Sequence, residues 1–243
     1  MNNVKKDYNI ISKTLQTGDI VLFGGNTGIS KIIENFEHTI WSHVGMIVLP
    51  GDIKPGIECE DKPLLWQSSP KLNIKDLLIK PENSGPELVY FDELLKLLKD
   101  YNYTVAVRKL DVIKTGVMIG SLNKFINKVH MDGFPSIHKL AIEFIEGNIR
   151  EKLKHAVIKI INFFKREKVQ ALSGKKQTFF CSELIAQSYI EMGLLPKYEV
   201  AGSYSPKSFS VQGGMTLKNS ALLEDEIYID YQEPDFHILK ERT

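Results

Sequence analysis

Asp19-Ile20-Val21-Leu22-Phe23, stopped by Gly24-Gly25-Asn26, reads as a short buried strand. A continuous apolar run of this length bounded by turn residues fits a strand enclosed by the core. His43-Val44-Gly45-Met46-Ile47-Val48-Leu49 is a second strand, ended by Pro50-Gly51. Leu64-Leu65-Trp66-Gln67 is a third, Tyr103 to Arg108 alternates as a half-buried strand, and Glu226 to Tyr231 is the last. The segment Glu87 to Phe91 is ambiguous by pattern.

Helical spacing covers about 28–37, through Ile29, Ile32, Ile33 and Phe36, and then 92–99. It dominates about 112–168, with a break at Met131-Asp132-Gly133-Phe134-Pro135. A further helix starts near Thr178, carries Leu184, Ile185, Ser188, Tyr189 and Met192, and is capped by Gly193. Strands before residue 108 and helices after 112 predict an α+β fold, with a small sheet packed on helices. The expected organisation is a lead-in over 1–16, one domain over 17–243, and a helical insertion at about 112–168.

The chain has 243 residues, 43% hydrophobic and 25% charged, ordinary for one globular domain. Lys plus Arg is 31 and Asp plus Glu is 30, for a net charge of +1. That balance argues against a general nucleic-acid binder, which carries a basic excess. The two cysteines, Cys59 and Cys181, do not make a disulfide framework, and both are expected to be free thiols. Met1 to Ile10 lacks the apolar core of a signal peptide, and no run approaches the ~18 apolar residues of a membrane span. The expectation is an intracellular protein.

A thiol attacks carbonyls as its thiolate, so it needs a base, a cation or a helix N-terminus beside it. Cys181 falls where Thr178-Phe179-Phe180 turns into a helix, whose free N–H groups favour negative charge and could hold an oxyanion. The bland alternative is a small buried hydrophobe. His43 opens a strand, and an imidazole there can reach a helix N-terminus packed on the sheet and act as general base. His38, His130, His138, His155 and His237 have no such setting. Gln67, on the next strand, could orient the imidazole through its amide oxygen, or simply bond water. Histidine spacing gives no metal site, and Gly24-Gly25-Asn26-Thr27-Gly28 lacks the Lys-Ser/Thr ending of a phosphate loop, so no cofactor is expected.

Taken together, Thr17-Gly18-Asp19-Ile20-Val21-Leu22-Phe23, Ser42-His43-Val44-Gly45, Leu65-Trp66-Gln67-Ser68-Ser69 and Phe180-Cys181-Ser182-Glu183-Leu184 form an ordered set. It resembles the circularly permuted branch of the NlpC-type papain-like cysteine hydrolases, in particular the YiiX/YaeF-like group. Val105 to Leu110 and Tyr204 to Phe209 also look like segments of that group, so the resemblance covers roughly 15–210. It implies a permuted papain-like fold, histidine before cysteine, and Cys181, His43 and Gln67 as the catalytic set. The group often carries an acid where this chain has Gln67; Glu58 and Glu60 are nearby alternatives without motif support.

The resemblance implies a peptidase-, amidase- or esterase-like hydrolase acting on peptide-like or lipid-like acyl groups through a thioacyl-enzyme. Acyl transfer to a lipid-directed acceptor is a close variant, and a binding protein that keeps the fold without strong catalysis is the third reading. Residues 151–168 mix Lys152, Lys154, Lys159, Lys165, Arg166 and Lys168 with Ile158, Ile160, Ile161, Phe163 and Phe164. Such a basic amphipathic helix either lies on anionic lipid as a peripheral membrane contact or packs with a solvated basic face.

Overall fold

The computed structural model describes residues 5–25, 39–53, 59–69, 76–77, 85–129, 181–198 and 201–231. The helix expected at 28–37 and the insertion beyond 129, including the basic segment 151–168, lie outside these residues. The strands are β1 (Lys6–Asp7), β2 (Ile20–Gly24), β3 (His43–Val48), β4 (Leu64–Ser69), β5 (Gly85–Tyr90), β6 (Thr104–Arg108), β7 (Leu110–Asp111), β8 (Leu222–Leu223) and β9 (Ile227–Asp230). Among the described residues the α-helices are α1 (Tyr8–Ser12), α2 (Phe91–Leu98), α3 (Gly116–Val129) and α4 (Cys181–Glu191). Among the described residues, seven strands form one mixed sheet in the order β1-β9-β6-β2-β3-β4-β5, and β7 pairs with β8. All neighbours in the large sheet are antiparallel except β1 and β9. The fold is α+β, and the sheet is larger than the small one expected because both chain ends contribute strands.

Period-two alternation sends successive side chains to opposite faces, and here both faces are covered. Ile20, Leu22, Val44, Met46, Leu64, Trp66, Leu88 and Ala106 share one core with α3 and α4. Val21, Phe23, Ile47, Leu65, Val89, Val105 and Val107 share the other with α1 and α2. This is why Ile20-Val21-Leu22-Phe23 is apolar without interruption: neither face of β2 meets water.

One expectation needs correction, and one ambiguity is resolved. Residues 6–15 are not a lead-in. Tyr8, Ile11 and Leu15 are buried in the second core, and β1 extends the sheet. Their helical spacing was masked by Lys5, Lys6, Asp7 and Asn9 between and before them. The ambiguous stretch 87–91 straddles a boundary: β5 runs to Tyr90 and α2 begins at Phe91.

The Thr17-Gly18-Asp19 segment ties the sheet together. The Thr17 hydroxyl accepts from the Leu49 N–H at 2.8 Å. Gly18 adopts φ +96°, which an L side chain rarely takes. Asp19, fully buried, accepts from the Leu110 N–H at 2.9 Å, the Gln16 N–H at 2.9 Å and the Lys109 ammonium at 2.6 Å. Nearby, the buried Arg108 donates to the carbonyls of Phe209, Leu223 and Glu224, which fastens the C-terminal segment to β6. Removing Asp19 leaves the buried Leu110 N–H and the partly buried Lys109 ammonium without their acceptor. Asp19→Ala is therefore expected to lower the unfolding free energy by about 3–5 kcal/mol in a denaturant titration. A loss below about 1 kcal/mol, the range of a surface pair, would contradict this role.

Candidate active site

Cys181 is the first residue of α4, and two side-chain bonds set the position of that helix on the sheet. The Trp66 indole N–H donates to Ser188 Oγ at 3.2 Å, and the Tyr189 hydroxyl donates to the Gly18 carbonyl at 2.7 Å. Leu184, Ile185 and Ala186 fill the first core around them. Gly193, at φ +77°, ends the segment as expected.

The sheet has an opening where the helix begins. The β3–β4 ladder pairs Val48 with Leu64, Ile47 with Leu65 and Met46 with Trp66, then stops. The β4–β5 ladder continues to Ser69 opposite Gly85. Residue parity turns the Val44 N–H toward β4, but no ladder partner meets it there. It instead favours the Cys181 thiolate, as does the Ser182 N–H from the first turn of α4.

Of the three residues expected to act, all lie together here. The half-buried His43 ring hydrogen-bonds the half-buried Cys181 thiol. Its Nε2 is 2.8 Å from Gln67 Oε1, which leaves Nδ1 for the sulfur. Phe23 packs against the imidazole with ring centroids 5.4 Å apart. Glu60 is not part of this cluster; it pairs with Lys62 in a loop, and Glu58 lies outside the described residues. His38, His130, His138, His155 and His237 also lie outside them.

A fourth residue was not anticipated. Glu87 sits directly across from Gln67 in the β4–β5 ladder and is buried at 3% exposure. Its Oε1 accepts from Gln67 Nε2 at 2.8 Å and from Ser69 Oγ at 2.5 Å. The group resembled in sequence often has an acid at the position of Gln67; here a carboxylate lies one strand over. A single acid beside the apolar run Leu88-Val89-Tyr90-Phe91 was the available signal, because a buried carboxylate needs partners.

Charge placement favours an ion pair. Burial alone pushes the Cys181 thiol up, but the His43 charge, its hydrogen bond and the N–H groups of Val44 and Ser182 outweigh it and hold the thiol below its ordinary range. Burial alone pulls His43 down, but Cys181, the Gln67 bond and the Glu87 charge outweigh it and raise the imidazole. Glu87 is lifted by burial to about 7, with Asp76 adding to the rise and Ser69, Gln67 and His43 opposing it.

No family model and no curated protein matches the chain. A solved structure described as the metalloprotein YiiX from Escherichia coli O157:H7, DUF1105, is similar over 72% of this chain and 64% of its own, with a TM-score of 0.40 and 14% identity. It belongs to the YiiX/YaeF group that the motifs resemble, but the match spans less than two thirds of that neighbour. A likeness this weak carries no argument about fold or function. Among the described residues, no group of three or more His, Cys, Asp or Glu is placed to hold a metal ion, and no helix is long and apolar enough to cross a membrane.

The raised Glu87 gives a pH dependence of stability with a defined sign. Between about pH 4.5 and 7 the folded chain keeps a proton on Glu87 that the unfolded chain has lost. Stability therefore falls as pH rises through that window and levels off above it. Glu87→Gln removes the titration. Going from about pH 4 to about pH 8 should cost the wild type about 3 kcal/mol relative to the variant in paired denaturant titrations. A difference between the two that does not change with pH would contradict the buried, protonatable carboxyl.

Proposed function

We propose that the chain is a cysteine-dependent acyl hydrolase with a permuted papain-like arrangement, in which Cys181 is the nucleophile and His43 the general acid and base. The meeting of the Cys181 thiol, the His43 ring and the Gln67 amide supports this reading most strongly. The Cys181 thiolate attacks the carbonyl carbon of an amide or ester, and the carbonyl π electrons move to oxygen. N–H groups at the start of α4, with that of Cys181 itself, would receive the resulting oxyanion. The tetrahedral species collapses, the C–N or C–O bond breaks, and His43 gives its proton to the leaving amine or alcohol. Water then attacks the thioester while His43 takes a proton from it. The thiolate leaves and the acid is released. An alcohol or amine replacing water in the second half turns the same site into an acyltransferase, so peptide-like and lipid-like acyl donors both suit the chemistry.

Short p-nitrophenyl acyl esters test this without knowledge of the natural substrate. A rapid burst of nitrophenol and one acyl group on Cys181 by intact and peptide mass are expected. Cys181→Ala should abolish both, and His43→Ala should slow acylation about 10²–10⁴-fold. Ester turnover that survives Cys181→Ala, or acylation confined to Cys59, would overturn the proposal.

A further inference from the structure

An amide side chain is nearly symmetric in shape, so Gln67 could present either its oxygen or its NH₂ group to His43. Neutral imidazole accepts either: Nε2 donates to an oxygen when protonated and accepts from an NH₂ when bare. While the ring is neutral, nothing on the His43 side decides between these states. The decision lies on the other side of the amide. Glu87 Oε1 already accepts from the Ser69 hydroxyl at 2.5 Å, and it faces Gln67 Nε2 at 2.8 Å. As the carboxylate, or as the acid with its proton on Oε2, that oxygen presents only lone pairs, so a donor faces it.

We propose that Glu87 is a positioning residue for the Cys181–His43 pair: it holds the Gln67 NH₂ toward itself and the Gln67 carbonyl toward His43, which keeps the proton on Nε2 and leaves Nδ1 free to take the thiol proton. This inference rests on the proposed function and extends it to a residue that touches neither the sulfur nor the imidazole. The chain of bonds runs in one sense from Ser69 through Glu87 and Gln67 to His43. Reversing the amide would favour the tautomer with hydrogen on Nδ1. That ring points a donor at the sulfur and cannot act as its base. The charged and titratable groups facing Glu87 are Asp76, from the segment preceding β5, and His43, with Cys181 beyond it. A carboxylate there also favours the protonated ring once the thiol proton has moved.

Iodoacetamide alkylation of the full chain across a pH series, read residue by residue by peptide mass, tests this without a substrate. Cys59 is the internal reference in the same tube, its thiol held above the ordinary range by burial and by Asp61. In the wild type, Cys181 should titrate well below Cys59. Glu87→Gln can turn either end of its amide toward Gln67, so the orientation is no longer fixed. At a pH one unit below the wild-type midpoint, Cys181 in this variant should react roughly tenfold more slowly, with Cys59 unchanged. Glu87→Leu, which offers Gln67 no acceptor, should lose at least as much; if it fails to fold by thermal melt, Glu87→Gln decides alone. A low Cys181 midpoint that is the same in wild type and Glu87→Gln overturns the role of Glu87 and leaves the dyad standing. A wild-type Cys181 that titrates with Cys59 and is indifferent to His43→Ala overturns the proposed function, and this inference with it.

Discussion

The bonds from Trp66 to Ser188 and from Tyr189 to Gly18 fix where α4 starts, and the placement of every reacting group depends on that start. Trp66 and Gln67 are neighbours on β4 that point to opposite faces. One side chain therefore anchors the helix carrying the thiol while the next contacts the imidazole. Tyr189 reaches the segment whose Asp19 holds the turn after β6. A shift of α4 along the sheet would break both anchors and carry the sulfur away from His43 and from the Val44 N–H.

The second constraint is the early end of the β3–β4 ladder. A continuous ladder would engage the Val44 N–H in the sheet and close the space beside it. Splaying the strands frees that donor and lets the thiol of a helix on one face meet His43, whose partner Gln67 lies by parity with Leu65 on the other. Desolvation opposes charge on every member of the cluster. The pair tolerates this because each charged form gains a specific partner: the thiolate has two N–H groups and the imidazole, and the imidazolium has the thiolate and the Gln67 carbonyl. Buried polar networks of this kind specify one arrangement only when every member is satisfied.

Much of this was readable from the residues. The central strands announce themselves because they are apolar on both faces and bounded by Gly, Pro and Asn. The Cys181 helix shows through Leu184, Ile185, Ser188 and Tyr189 at helical spacing, and Gly193 marks its end. The pairing of Cys181, His43 and Gln67 came from motif order, and the structure brings the three side chains together. Glu87 was hidden for two reasons. Its strand runs straight into α2, so the period changes within five residues. Its partnership with Gln67 depends on a cross-strand register between segments twenty positions apart in sequence, which no local pattern encodes. The N-terminal segment was hidden by polar residues surrounding only three buried ones, Tyr8, Ile11 and Leu15.

In the proposed site the His43 ring carries its permanent proton on Nε2, bonded to Gln67, and exchanges the other with Cys181 through Nδ1. Long-range ¹H–¹⁵N correlation spectra of the labelled protein, before and after alkylation of Cys181, report each ring nitrogen separately. A protonated Nε2 is expected in both samples, with Nδ1 losing its proton at neutral pH once the sulfur is alkylated. A neutral ring with hydrogen on Nδ1 and a bare Nε2 in the untreated protein would contradict it.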